Sequence, residues 1–226
     1  MFFLTNQSFK NKKVIIRVDL NVPLDSSLKA TDATRIIACR ETIDYVINNG
    51  GACILMAHLG RPKGKNKTLS LSNILKDISQ GLQRETKFVN DCVGDSVEKA
   101  VSILKPGEVL LLENLRFYKE ETAGEEVFAK QLAKLGDVYI NDAFGTCHRE
   151  HASTSTVAKF FPDNKYAGKL LEKELNVISR ILENGQAPIL AILGGAKVSS
   201  KLKIINNLIE RVDKLIIAGG MAFTFI

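Results

Sequence analysis

Cys53 to Gly64 reads CILMAHLGRPKG. Its first five residues, Cys53 to Ala57, are apolar or small, the length and composition of a strand buried on both faces. The run then breaks at once into His58, Leu59, Gly60, Arg61 and Pro62. Polar groups at the end of a buried strand stand at the carboxyl edge of a parallel sheet, where open α/β folds bind ligands. Three other stretches repeat the pattern. VIIRVDLNVP (14–23) ends in Asp19 and Asn21, EVLLLENLRF (108–117) in Asn114 and Arg116, and DVYINDAFGTCHREH (137–151) in Asn141, Asp142, His148 and Arg149. Four strand ends therefore deliver Asp, Asn, His and Arg towards one crevice.

The segments between them alternate in type. Strands are expected at 14–18, 53–57, 87–89, 108–112 and 137–141. Helices are expected at 33–48, 70–82, 93–104 and 124–135, with a short one over 153–161. This order predicts an α/β fold with a doubly wound, Rossmann-like parallel sheet covered on both faces. A long apolar stripe through Leu170, Leu171, Leu175, Ile178, Ile181 and Leu182 predicts a helix over about 168–184 that links two domains. After Pro188 the pattern restarts: ILAILGGAKVSSK and LIIAGGMAFTF each run an apolar strand into Gly-Gly and then a helix. Paired glycines let the backbone approach a ligand, and a helix N-terminus offers unpaired N–H groups to phosphate. On such a helix Lys197 and Lys201, four apart, would share a face. The expected organisation is a first domain over 1–166, an interdomain helix over 167–185, and over 186–226 the start of a second parallel α/β domain. About 40 residues with two strands cannot bury their own apolar faces, so the second domain is expected to be only begun here.

Composition narrows the partners. Hydrophobic content of 45% and charged content of 25% are those of a water-soluble globular domain, and no apolar run approaches the roughly 18 residues of a membrane span. The start lacks a signal-peptide pattern, and the four cysteines are widely spaced without a CxxC pair. A cytoplasmic, membrane-free protein without a zinc site is expected. The net charge of +6 fits either nucleic acid or an anionic small molecule. The one tight basic cluster, Lys63, Lys65 and Lys67, has no interleaved aromatic residues, which argues against nucleic acid. GRPKGKNKT misses the spacing of a phosphate loop, and no GxGxxG follows the first strand. His148 and His151 form an HxxH pair without a third ligand at suitable spacing, so no metal site is expected.

Arg35, Arg61, Arg116 and Arg149 fall at strand ends or at a helix start facing the same edge. Guanidinium groups grip phosphate and carboxylate bidentately, and four together beside Asp19, Asn21 and His58 suit a small ligand with more than one negative charge. Taken together, RVDLNVPL, TRI, HLGRPKG, LLENLRFYKEE, INDAFGTCHREHAST, GGAKVSSK and GGMAFTF resemble the phosphoglycerate kinase family, in the family's order and spacing and over essentially the whole chain.

The resemblance implies a monomeric, two-domain, hinge-bending glycolytic enzyme, a phosphotransferase with a carboxyl group as acceptor. It would move a phosphoryl group between 1,3-bisphosphoglycerate and ADP, giving 3-phosphoglycerate and ATP, with Mg²⁺ held mainly by the nucleotide. By that similarity Asp19, Leu20 and Asn21 would hold the glycerate hydroxyl region. His58, Leu59, Gly60, Arg61, Arg116 and Arg149 would hold the 3-phosphate end. Arg35 would reach the carboxylate and the transferring group, and with Lys197 would be catalytic. Gly195, Ala196, Lys197 and Lys201 would meet the nucleotide phosphates, with Gly219 and Gly220 beside the nucleotide. Ser200 stands where many members carry Asp. The family's later elements, including a glycine-rich loop with an Asp near the Mg-nucleotide and an acidic ribose contact, have no counterpart before Ile226. The chain by itself is therefore expected to bind substrate and catalyse poorly or not at all; the alternative is a non-catalytic anion-binding module.

Overall fold

The computed structural model describes residues 2–184, 187–195, 198, 199 and 201–225. The chain divides into two compact units, Met1–Lys173 and Glu174–Ile226.

The first unit is built on seven parallel strands: β1 (Phe2–Phe3), β2 (Lys13–Arg17), β3 (Ala52–Met56), β4 (Thr86–Phe88), β5 (Val109–Leu111), β6 (Val138–Asn141) and β7 (Lys165–Ala167). Their order is β1-β7-β6-β2-β3-β5-β4. β2 is the switch point, because the chain leaves it towards β3 on one side and returns to β6 on the other. A crevice must open at the carboxyl ends of β2, β3 and β6, since the connections there turn to opposite faces of the sheet.

Helices cover both faces. α1 (Thr34–Ala38), α2 (Arg40–Asn48) and α3 (Leu75–Leu82) pack on one side. α4 (Asp95–Ser102) and α6 (Glu126–Ala133) pack on the other, and α5 (Lys119–Ala123) leads into α6. The strands alternate faithfully: Val14 and Ile16 enter the first core and Ile15 the second; Cys53 and Leu55 the first, Ile54 and Met56 the second. Continuous apolar strands follow from this, because each face has its own core.

Three expectations change. The helix expected over 33–48 is two helices, because Cys39 leaves the helical path with ψ near −5° and its thiol donates to the Ile36 carbonyl at 3.1 Å. The segment expected to be helical over 153–161 is instead a wide π-helical turn (Ala152–Thr156) followed by a 3₁₀ turn (Val157–Phe160). β1 and β7 went unforeseen, since two and three residues are too short for periodicity to register.

The helix α7 (Lys169–Asn184) spans the division between the units. Its first turn is tied to the first unit by Asp142, whose Oδ1 accepts the N–H groups of Leu170 (3.0 Å) and Leu171 (3.2 Å). Oδ2 of Asp142 is buried and among the described residues meets no hydrogen-bond partner. Burial pushes this carboxyl up to about 7, against the pull of its hydrogen bonds. A folded-state value above the unfolded value means the folded chain binds the extra proton. The stabilisation is present below about pH 4 and is lost as pH rises towards 7, on the order of 4 kcal/mol. Asp142→Asn should remove that component: between pH 5 and 8 the urea midpoint of wild type should fall relative to the variant. Parallel profiles would mean that Asp142 is ionised throughout.

In the second unit β8 (Leu190–Gly194) and β9 (Lys214–Ala218) form a parallel pair, with α8 (Leu202–Ile209) between them in sequence. The glycine pairs do not open directly into α-helices. α8 begins only at Leu202, and Gly219–Thr224 is a 3₁₀ helix. Lys201 is the residue before α8 and not on it, and the helical face it is expected to share with Lys197 lies outside the described residues. Ala196, Lys197 and Ser200 lie outside the described residues. Among the described residues no helix is long and apolar enough to cross a membrane.

Candidate functional site

The carboxyl ends of β2, β3 and β6 and the segment after β5 meet in a cleft of about 320 Å³, lined by Asp19, Asn21, Arg35, His58, Gly60, Arg61, Arg116 and Arg149 together with Gly145 and Thr146. Eight of its ten residues are those singled out from the sequence. Leu20 and Leu59, expected beside them, do not line it: their side chains are in the hydrophobic core. That leaves only their main chain to border a ligand.

The cleft is shaped by side chains bonded to backbone. The Asp19 carboxylate is divided, Oδ1 accepting the Asn21 N–H at 3.0 Å and Oδ2 the Arg35 guanidinium at 2.6 Å. Asn21 Oδ1 accepts the Gly60 N–H at 2.7 Å. Buried Asn114 clamps the same loop, donating to the carbonyls of Leu59 and Leu69 and accepting from the N–H groups of Leu59 and Arg116. Gly60 itself adopts φ +62°, the left-handed region that favours glycine, and a Cβ there would press on the tip of Leu69 at 2.9 Å. Arg116 Nη1 closes the ring by donating to the Gly60 carbonyl at 2.6 Å.

Charge in the cleft is one-sided. Arg116 is pulled below the usual guanidinium range by burial and then by Arg149, Arg17 and Arg61. Burial and the charges of Arg17, Arg116 and Arg149 lower His58 to about 2, so its ring is neutral. The one carboxylate of the cleft, Asp19, is committed to Arg35. Such a site lacks the negative charge that an anion would supply.

Beside it, and sharing Arg61, Arg116 and Arg149, lies a more open groove of about 810 Å³ that adds Lys63, Lys119, Tyr118 and His151. Beneath the cleft sits Arg17, 1% exposed. A charged residue ending the buried run VIIR was a signal that sequence reading passed over. Glu121 and Ser153, which pair with each other below Arg17, had no such signal, because only tertiary folding brings them there.

In the second unit the loops after β8 and β9 touch. Gly195 carbonyl accepts the Met221 N–H at 2.9 Å, and a Cβ on Gly195 would lie 3.2 Å from Lys201 Cε. Gly195, Lys201 and Gly219 are thus neighbours, and Gly220 follows in the same turn.

These features match a known family over nearly the whole chain. The phosphoglycerate kinase family model matches residues 4–226. The phosphoglycerate kinase of Aquifex aeolicus (strain VF5) is 51% identical over 223 residues, 99% of this chain and 56% of that protein. That of Moorella thermoacetica is 52% identical over 224 residues, again 99% of this chain and 56% of that protein. The crystal structure of phosphoglycerate kinase from Pyrococcus horikoshii OT3 superposes with a TM-score of 0.87 at 33% identity, covering all of this chain and 57% of that one. The chain spans about half the length of the relatives it matches. With a switch-point crevice walled by four arginines and a match running from residue 4 to residue 226, the chain belongs to the phosphoglycerate kinase family.

Proposed function

We propose that this chain carries the substrate side of a reversible phosphoryl transfer between 1,3-bisphosphoglycerate and ADP, giving 3-phosphoglycerate and ATP. The observation that carries the proposal is the cleft with Arg35, Arg61, Arg116 and Arg149 around one neutral histidine and one committed carboxylate. A ligand with a phosphate at one end and a carboxylate at the other satisfies these cations with bidentate bonds. Arg61, Arg116 and Arg149 take the phosphate with His58, while Asp19 and Asn21 border the hydroxyl. We assign Arg35, half-exposed and paired with Asp19, to the carboxylate and the group being transferred.

In the direction of acyl-phosphate formation the attacking group is a carboxylate, ionised at neutral pH, so no general base is required. The catalytic task is positioning and charge neutralisation. On the nucleotide side we assign Gly195, Ala196, Lys197, Lys201, Gly219 and Gly220, with Lys197 beside Arg35 as the second catalytic cation. Lys201 stands at the N-terminus of α8, where its charge and the positive helix end repel unless an anion lies between them. Among the described residues no three His, Cys, Asp or Glu are placed to hold a metal ion, so we assign Mg²⁺ to the nucleotide phosphates, whose charge it offsets. Transfer then requires the two units to bring donor and acceptor together and shut out water. We infer a cytoplasmic monomer, a setting that suits the buried free thiols of Cys39, Cys53 and Cys92.

Calorimetric titration of the chain with 3-phosphoglycerate tests the binding reading. One saturable site is expected, weakened by added salt and by replacing the ligand with glycerate. A chain shown to be folded that gives no saturable heat would overturn it.

A further inference from the structure

Under the cleft runs a buried chain of polar groups that the reaction as described does not use. Arg17, at the end of β2, is 1% exposed, and among the described residues no carboxylate lies directly against its guanidinium. Its Nε donates to Ser153 Oγ at 3.0 Å, and its Nη1 to the Val18 carbonyl. Ser153 passes the interaction on: its hydroxyl donates to Glu121 Oε1 at 2.6 Å and its N–H to Glu121 Oε2 at 3.0 Å. Glu121 is itself fully buried. Tyr139 holds the turn by donating its hydroxyl to the Ser153 carbonyl at 2.9 Å.

The remaining arm of Arg17 points at the site. Arg17 Nη2 lies 3.0 Å from His58 Nδ1. A guanidinium has no acceptor and cannot lose its proton, so this contact exists only if Nδ1 offers a lone pair. The ring hydrogen must then be on Nε2. We propose that Arg17 is a positioning residue, which holds His58 as the Nε2–H tautomer under the cleft, with the Ser153–Glu121 pair supplying the countercharge that keeps Arg17 buried. The proposal rests on the substrate reading above and adds to it what His58 contributes: a fixed neutral donor and no charge.

The groups around His58 all point the same way. Burial first, and then Arg17, Arg116, Arg149 and His151, disfavour a proton on its ring. Around Arg17 the opposing groups are Glu121, Tyr139 and Asp19, against burial. The wide π-helical turn at Ala152–Thr156 has a purpose in this arrangement, since it presents both the N–H and the hydroxyl of Ser153 to one carboxylate.

Long-range ¹H–¹⁵N correlation of the imidazole nitrogens tests this directly on the chain. In wild type the His58 ring should show Nε2–H alone, unchanged from pH 5 to 8. In Arg17→Met with Glu121→Gln, which removes cation and countercharge together, Nδ1 is no longer required to accept and His58 should show mixed tautomers. Its 3-phosphoglycerate affinity should then fall by up to roughly tenfold, because the Nε2–H donor is no longer fixed. Affinity is compared between the two proteins at one pH, so the ligand's own titration cancels. A wild-type His58 that titrates between pH 5 and 8, or carries its hydrogen on Nδ1, overturns the proposal even if the double variant fails to fold. Wild type that shows the fixed tautomer but does not bind 3-phosphoglycerate would sink the substrate reading and leave the tautomer assignment standing.

Discussion

Arg116→Ala is expected to lower the affinity of this chain for 3-phosphoglycerate by roughly 30- to 100-fold while leaving its thermal midpoint within a few degrees of wild type. Arg116 lines both the cleft and the adjoining groove, so it is central to any anion placed there. A charge-assisted, bidentate contact in a partly desolvated site is worth about 2–3 kcal/mol, which sets the fold-change. Stability responds differently. Arg116 is crowded by Arg149, Arg17 and Arg61, and removing it relieves that repulsion. Against this stands the lost bond from Nη1 to the Gly60 carbonyl at 2.6 Å. The two effects are opposed and similar in size, so the fold should be nearly indifferent while binding collapses. Calorimetric titration beside a thermal melt separates the outcomes. Wild-type affinity in the variant would place the anion elsewhere; a large fall in the midpoint would make Arg116 a structural clamp on the Gly60 loop. Arg116→Lys should recover only part of the affinity, because a point charge cannot reproduce the fork.

Gly168→Ala should be the more damaging change to the fold. A Cβ at this position would stand 2.1 Å from Asp142 Oδ1, 2.4 Å from its Cγ and 2.6 Å from its Cβ. The whole buried side chain of Asp142 would have to move, and with it the acceptor for the N–H groups of Leu170 and Leu171. The Gly168 N–H, bonded to the Asn141 carbonyl at 2.8 Å, holds the segment in register with β6, so the backbone cannot simply retreat. Overpacking plus two unsatisfied helix-start donors predicts a loss of about 3 kcal/mol or more. Urea denaturation at pH 7 measures it, and a loss below about 0.5 kcal/mol would show that Asp142 does not hold α7. Substrate affinity measured below the unfolding transition should change little, since Gly168 and Asp142 lie outside the cleft lining.

The cleft was largely legible before folding because its parts are local. Each strand of the first unit ends its apolar run where the core ends, and the polar residues immediately beyond, Asp19, Asn21, His58, Arg61, Arg116 and Arg149, must stand on that edge. Parallel connection then puts the edges of β2, β3 and β6 on the same side. For Leu20 and Leu59, which resemblance to a motif puts at the ligand, alternation along the chain turns the side chains into the core and leaves the main chain to face it. The break at Cys39 and the late start of α8 at Leu202 escaped a periodicity argument, which sees apolar spacing and not the path of the backbone at a single residue.

What the amino-acid order determined by itself is thus the parallel α/β architecture, the edge that carries the site and the sign of the charge there. Only the tertiary structure decided what those charges do. Arg17, Glu121 and Ser153 are up to 136 positions apart in the chain, and nothing local announces that they share a buried network. That network depends on the wide turn at Ala152–Thr156 meeting β2 beneath the cleft, and it alone fixes which nitrogen of His58 holds the hydrogen. A proton's position is set by the nearest donors and acceptors in three dimensions, and spacing along a sequence carries no record of them.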